Sequence, residues 1–277
     1  MMIVLRADTM GVCMGVKRAL AIVERTLEEN PGLKVYSLGP LIHNPRVVEE
    51  FRRRGLIAIE NLDRAEGGIV VVRAHGIGPQ QKTECDERGL RCVDATCPKV
   101  HRIHEMVRER NARGIRIIIV GDSRHGEVQG ISGYAPGAAI ISSAAEAETV
   151  PLDGACTVVC QTTFRRAEYQ RICGALRARR PDIEVLETTC SATERRQESL
   201  ARLARKVDAL LVIGGRNSAN TRWLFQSALA TGQPAWHIEG AGDIPPEIRG
   251  FERVGISAGA STPNDIVDEV DRALLSL

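Results

Sequence analysis

Three cysteines carry the first chemical signal in this chain. Cys13 lies in Gly-Val-Cys-Met-Gly-Val, Cys97 in Asp-Ala-Thr-Cys-Pro and Cys190 in Thr-Thr-Cys-Ser-Ala-Thr. Each stands where a strand-like run gives way to a helix-like one, and backbone N–H groups at a helix start favour a thiolate. They are far apart in sequence, so only tertiary folding can unite them. An iron–sulfur cluster normally takes four cysteine ligands, so a cluster held by three keeps one iron open for chemistry. Zinc held by three cysteines is the competing metal, because catalytic zinc also keeps an open position. Structural zinc sites usually have a local pair of ligands and none exists here, which favours the cluster. The remaining alternative is that all three are small buried hydrophobes, as free cysteines often are.

The other cysteines, Cys85, Cys92, Cys156, Cys160 and Cys173, lack these polar flanks. Cys156 and Cys160 share one face of a strand-like run and have no Cys-X-X-Cys spacing. All five are assigned to core or surface roles. Among the histidines, His43 (Leu-Ile-His-Asn-Pro), His75 (Arg-Ala-His-Gly) and His125 (Arg-His-Gly-Glu) fall in loops after strands. Donating imidazoles, the hydroxyls of Ser218, Ser261 and Thr262 and the amide of Asn220 suit a diphosphate, and helix starts add a favourable dipole. His101 and His104 read as residues of an exposed helix face, and His237 as part of an ordinary strand. Glu127, two residues beyond His125, is the carboxylate placed to act as an acid if burial raises its pKa. A helix-start Glu interacting with the dipole is the alternative. Thr162 or Thr163 can hydrogen-bond a substrate hydroxyl or close a turn.

These residues need a frame, and the hydropathy pattern supplies one. Short β-branched runs alternate with amphipathic stretches, the pattern of an α/β protein. Strands are predicted over 2–6, 34–38, 69–73, 91–94, 116–120, 156–160, 182–187, 209–213 and 253–257. Helices are predicted over 16–29, 45–54, 98–111, 193–206, 220–230 and 263–275, with Pro98 and Pro263 in first turns. The runs at 69–72 and 117–120 lack polar alternation, as expected for parallel strands covered on both faces. The polar, glycine-rich segments then fall at strand carboxyl ends, where open α/β sheets bind ligands. Breaks near Cys97 and Cys190 suggest three α/β units, 1–97, 98–190 and 191–261, with the tail 262–277 packing back on the first.

Composition sets outer bounds. The chain has 277 residues, 26% of them charged, and a formal net charge of +2, without the basic stripe that nucleic-acid binding requires. No apolar run approaches the roughly 20 residues of a membrane span. An acidic residue follows too early for a signal peptide, so a cytoplasmic location is expected, where thiols stay reduced. No Gly-X-X-X-X-Gly-Lys-Ser/Thr loop indicates ATP and no Gly-X-Gly-X-X-Gly loop indicates a nicotinamide or flavin.

Laid end to end, the motifs resemble the 4-hydroxy-3-methylbut-2-enyl diphosphate reductase (LytB) family. The resemblance rests on nine segments in the family's order: Gly11-Val-Cys-Met-Gly-Val-Lys-Arg-Ala, Leu38-Gly-Pro-Leu-Ile-His-Asn, Arg73-Ala-His-Gly-Ile, Asp94-Ala-Thr-Cys-Pro, His125-Gly-Glu-Val-Gln-Gly, Gln161-Thr-Thr, Thr189-Cys-Ser-Ala-Thr-Glu-Arg-Arg-Gln, Ile213-Gly-Gly-Arg-Asn-Ser-Ala-Asn and Gly255-Ile-Ser-Ala-Gly-Ala-Ser-Thr-Pro. It implies three similar α/β units with mostly parallel sheets around a central [4Fe-4S] cluster. Cys13, Cys97 and Cys190 would be its three ligands, with one iron site open. It implies the last step of the non-mevalonate isoprenoid pathway, in which an allylic alcohol diphosphate loses its hydroxyl as water with two electrons and two protons. The products are isopentenyl and dimethylallyl diphosphates.

By the same carry-over, His43, His75 and His125 with Ser218, Asn220 and Ser261 would hold the diphosphate. Glu127 would supply protons, helped by Thr162. A ferredoxin-like or flavodoxin-like protein would donate electrons. Three positions depart from the family pattern: Ala219 replaces a common serine, Gly126 a common proline and Glu187 a frequent aspartate. Two other classes fit parts of the pattern, a non-enzymatic iron–sulfur sensor or carrier and a zinc hydrolase of a phosphorylated substrate.

Overall fold

Apolar runs without polar alternation become the central strands of three parallel sheets. The computed structural model describes residues 2–277. In chain order it runs β1 (Ile3–Arg6), α1 (Met14–Glu29), β2 (Val35–Leu38), α2 (Pro45–Arg53), β3 (Leu56–Ile59), β4 (Ile69–Val72), α3 (Pro79–Glu87) and β5 (Arg91–Asp94). It continues through α4 (Pro98–Ala112), β6 (Arg116–Val120), α5 (Gly126–Ser132), β7 (Ala139–Ile141), α6 (Ala144–Ala147), β8 (Cys156–Cys160), α7 (Arg166–Arg179) and β9 (Glu184–Val185). It ends with α8 (Ser191–Ala204), β10 (Ala209–Ile213), α9 (Ala219–Leu229), β11 (Ala235–Ile238), β12 (Arg253–Ala258) and α10 (Asn264–Leu275).

The sheets have the orders β3-β2-β4-β5, β7-β6-β8-β9 and β11-β10-β12-β1. Every strand pairing is parallel. All three orders are one pattern, second-first-third-fourth, except that the third sheet takes its fourth strand from the chain start. In such a sheet the first and third strands flank the point where the winding reverses, and a crevice opens at their carboxyl ends.

Two compact units divide the chain. One comprises the chain up to Lys17, Ile42–Glu50 and Ser191–Leu277, and holds the sheet that contains β1. One face of that sheet packs Leu211, Ile213, Val254 and Ile256 against Ile266, Val267, Val270 and Leu274 of α10. Leu210 and Val212 pack with Leu200, Leu203 and Leu224 in a separate cluster. The other unit, Arg18–Leu41 and Phe51–Cys190, holds the remaining two sheets. Val70 and Val72 pack there with Tyr36, Leu38 and Leu90, and Ile117, Ile119 and Val159 with Ile103, Val107, Val128 and Ile131. Each fully buried Val or Ile contributes roughly 1.5–3 kcal/mol, so these strands are fixed by burial on both faces.

The α/β class and the main strands agree with the sequence expectations. The sequence pattern does not predict β3, β7, α3, α5, α6 and α7, which are short or weakly periodic. The predicted strand over 182–187 shrinks to Glu184–Val185, and Pro263 caps α10 instead of entering its first turn. Strand β1, expected within the 1–97 unit, pairs with β12 and not with β2–β5. The pairing joins opposite ends of the chain and leaves no local signal.

Candidate active site

The shared topology sorts the candidate residues. Each fourth strand leads to a cysteine at a helix start: β1 to Cys13 before α1, β5 to Cys97 before α4 and β9 to Cys190 before α8. The first strands lead to His43 after β2, to His125 and Glu127 after β6, and to Ser218 and Asn220 after β10. The third strands lead to His75 after β4, Thr162 after β8 and Ser261 after β12. Every expected site residue therefore lies beyond the carboxyl end of a parallel strand.

In the larger unit these loops form one connected run. The Cys97 N–H donates to the Ala74 carbonyl at 3.0 Å, beside His75. The His75 and His125 rings meet edge to face, with centroids 5.0 Å apart. His125 caps α5, its Nδ1 accepting from the Glu127 N–H at 3.2 Å, which leaves Nε2 as the donor nitrogen. The Glu127 carboxylate accepts the Thr162 N–H at 2.6 Å and the Thr162 hydroxyl at 2.8 Å. The Thr162 carbonyl accepts the Cys190 N–H at 2.9 Å.

Glu127 is 2% exposed, and burial pushes its pKa up to about 7, although both Thr162 bonds oppose the rise. An acid of that pKa holds and releases a proton near neutrality. Glu127 is also in the first turn of α5, the placement that the helix-dipole alternative expects.

In the smaller unit, the Cys13 N–H donates to the Ala260 carbonyl at 3.1 Å, beside Ser261. The Val16 N–H points at the Cys13 sulfur, 3.4 Å away. Arg196 of α8 donates to the Gly11 carbonyl at 2.5 Å and steadies the cysteine loop. His43 packs against Gly215, where any Cβ would overlap the His43 carbonyl oxygen, so only glycine permits the approach. Ser218 caps α9 by accepting the Thr221 N–H at 3.3 Å. Asn220 is buried and its Nδ2 has no hydrogen-bond partner. A buried donor left unpaired is unfavourable unless a ligand supplies an acceptor.

The donor set fits a thiolate-held cluster. Cys13, Cys97 and Cys190 form no disulfide, are half-buried and stand at helix starts. Cys85, Cys156, Cys160 and Cys173 are buried free thiols, and burial pushes the Cys160 pKa well up. Cys92 is exposed, but burial of its sulfur and the neighbouring Cys85 raise its pKa to about 12, which keeps it a thiol.

Some supporting residues escaped the sequence reading. Thr188 accepts the Cys160 N–H at 2.6 Å and donates to the Cys160 carbonyl at 2.8 Å. It continues the strand pairing past β9 and clamps the approach to Cys190; no periodic signal marks it. His104 is a correction: it is buried, not on an exposed face, stacked on Tyr134 with centroids 4.5 Å apart. Burial lowers its pKa to about 4, and it lies against Gly76 in the His75 turn. The stripe Val100, Ile103, His104, Val107 has helical spacing and could have revealed it. His101 is exposed, 3.4 Å from Glu105, and His237 lies in β11 with Nε2 2.8 Å from the Gly214 oxygen.

Fold and site together define a class: parallel α/β proteins that offer thiols, imidazoles and one buried acid from strand carboxyl ends. Comparison with known proteins narrows this. Residues 4–275 match the family described as LytB protein. A 4-hydroxy-3-methylbut-2-enyl diphosphate reductase of Treponema denticola is 42% identical, covering 99% of each chain. That of Aquifex aeolicus is 38% identical, covering 95% of this chain and 93% of its own. The solved reductase from Plasmodium falciparum matches with TM-score 0.93 and 29% identity, over 98% of this chain and 87% of that one. A second solved structure, described as the terminal enzyme of the non-mevalonate pathway, matches with TM-score 0.73 and 37% identity over all of both chains. The chain belongs to the LytB family.

Proposed function

We propose that this chain is a 4-hydroxy-3-methylbut-2-enyl diphosphate reductase that removes the substrate's allylic hydroxyl as water, using two electrons and two protons. Isopentenyl and dimethylallyl diphosphates are the products. Cys13, Cys97 and Cys190 hold one [4Fe-4S] cluster with an open iron site. Such a cluster, when bound, supplies one-electron transfers and a Lewis-acidic iron, which no side chain provides.

The chain's own residues do the rest. His43, His75, His125, Ser218, Asn220 and Ser261 hold the diphosphate, so that binding far from the reacting carbon orients it. Protonated Glu127 donates its O–H to the Thr162 hydroxyl, which passes its own hydrogen to the departing oxygen. Hydroxide leaves poorly and water leaves readily, so this relay lowers the barrier. Among the described residues no helix is long and apolar enough to cross a membrane. A cytoplasmic setting and a ferredoxin-like or flavodoxin-like donor complete the reading.

The single observation that carries it is the buried Glu127 carboxyl, tuned to about 7 and bonded twice to Thr162, whose carbonyl holds the Cys190 N–H. The test is anaerobic turnover of the allylic alcohol diphosphate with a reduced low-potential donor. Formation of both isoprenoid diphosphates supports the reading. An iron-loaded protein that leaves the substrate intact contradicts it.

A further inference from the structure

Arg73 follows β4 directly and precedes His75 by two residues. Its half-buried side chain reaches between two neighbouring turns. A Cβ on Gly39, after β2, would lie 2.6 Å from Arg73 Nη1; one on Gly126, after β6, would lie 2.5 Å from Nη2. Side-chain-free residues from both loops thus make a slot for the guanidinium, and Gly39 is further fixed by its φ of +76°.

The slot holds a cation without a counter-ion. Arg6, Arg46, Arg54, Arg110 and Arg253 each meet an Asp or Glu. No described carboxylate pairs with Arg73, and burial alone shifts its pKa, downward. Withdrawing a guanidinium from water without an anion is unfavourable, so a slot built for one implies a negative ligand. The donors around it agree. Gly126 joins His125 to Glu127, the His125 ring is 5.0 Å from that of His75, and the Glu127 carboxylate faces Thr162 instead.

We propose that Arg73 is a further substrate-binding residue that anchors the diphosphate beside His75 and His125. The inference rests on the proposed function and adds a residue to it. A guanidinium fork matches phosphate oxygens and stays charged, whereas a neutral imidazole offers one donor.

The test compares wild-type holoenzyme with Arg73→Gln and Arg73→Lys, using inorganic diphosphate as the probe. In Arg73→Gln the substrate KM and the inhibition constant of inorganic diphosphate rise together by about 10- to 100-fold, while kcat stays within about threefold. Arg73→Lys, which keeps the charge but loses the fork, falls between. Inorganic diphosphate raises the Tm of the wild type but not of Arg73→Gln, a readout independent of turnover. Unchanged KM and inhibition constant, or a fall in kcat alone, overturns the proposal. Arg73-dependent diphosphate binding in a wild type that leaves the allylic substrate intact would sink the functional reading and spare this one.

Discussion

Glu127 and Thr162 are joined twice: the threonine N–H and hydroxyl donate to separate carboxylate oxygens at 2.6 and 2.8 Å. Protonating Glu127 reverses the second bond without moving a heavy atom. Replacing Glu127 by Gln preserves that geometry, since its oxygen still accepts the N–H and its amide donates to the hydroxyl. Glu127→Gln is therefore expected to retain iron and fold yet lose turnover by about 10²- to 10⁴-fold. Iron content and kcat measured on one preparation check this; undiminished turnover would return Glu127 to a structural role.

The same carboxyl predicts a pH signature. Its pKa is about 7 in the fold against an ordinary 4.5. Folding therefore takes up a proton between those values. The stability contributed by this carboxyl is fully present below about 4.5 and is lost as pH rises through 7, by a few kcal/mol at most. Glu127→Gln lacks the penalty, so its advantage over wild type in urea unfolding should grow from pH 5 to pH 8. A gap that stays constant across that range contradicts the assignment. Wild-type kcat should also fall above pH 7.

Asn220 carries a buried Nδ2 without a partner. Asn220→Ala removes that orphan and is expected to leave Tm unchanged or higher. It should raise the substrate KM about tenfold, the worth of one hydrogen bond to a charged group. A lower Tm with unaltered KM would show that the amide serves the fold.

Thr188 bonds both backbone groups of Cys160. Thr188→Val keeps shape but leaves a buried N–H unpaired, at about 1–3 kcal/mol of stability. Thr188→Ser should recover most of it. Chemical denaturation of the three proteins decides the matter.

The sequence revealed the chemistry more completely than its support. Runs such as Ile69–Val72 announced buried parallel strands, and the polar turns after the strands contained every candidate ligand. Short edge strands such as β7 offered too few residues for any period to emerge. Pairing of β1 with β12 depends on contacts between opposite ends of the chain. Arg73 and Thr188 sat inside recognised motifs, yet their roles follow from what lies across from them: two glycines in one case, a strand end in the other. Residue type cannot convey that.

The central claim is that Cys13, Cys97 and Cys190 jointly hold one cluster with an open iron. Mössbauer spectroscopy of the anaerobically purified, iron-57-labelled protein tests it most directly. The account predicts one iron in four with a distinct signal that changes when the allylic diphosphate is added, and loss of the cluster in Cys97→Ser but not in Cys92→Ser. Four equivalent irons indifferent to substrate, or an intact cluster in Cys97→Ser, would contradict it.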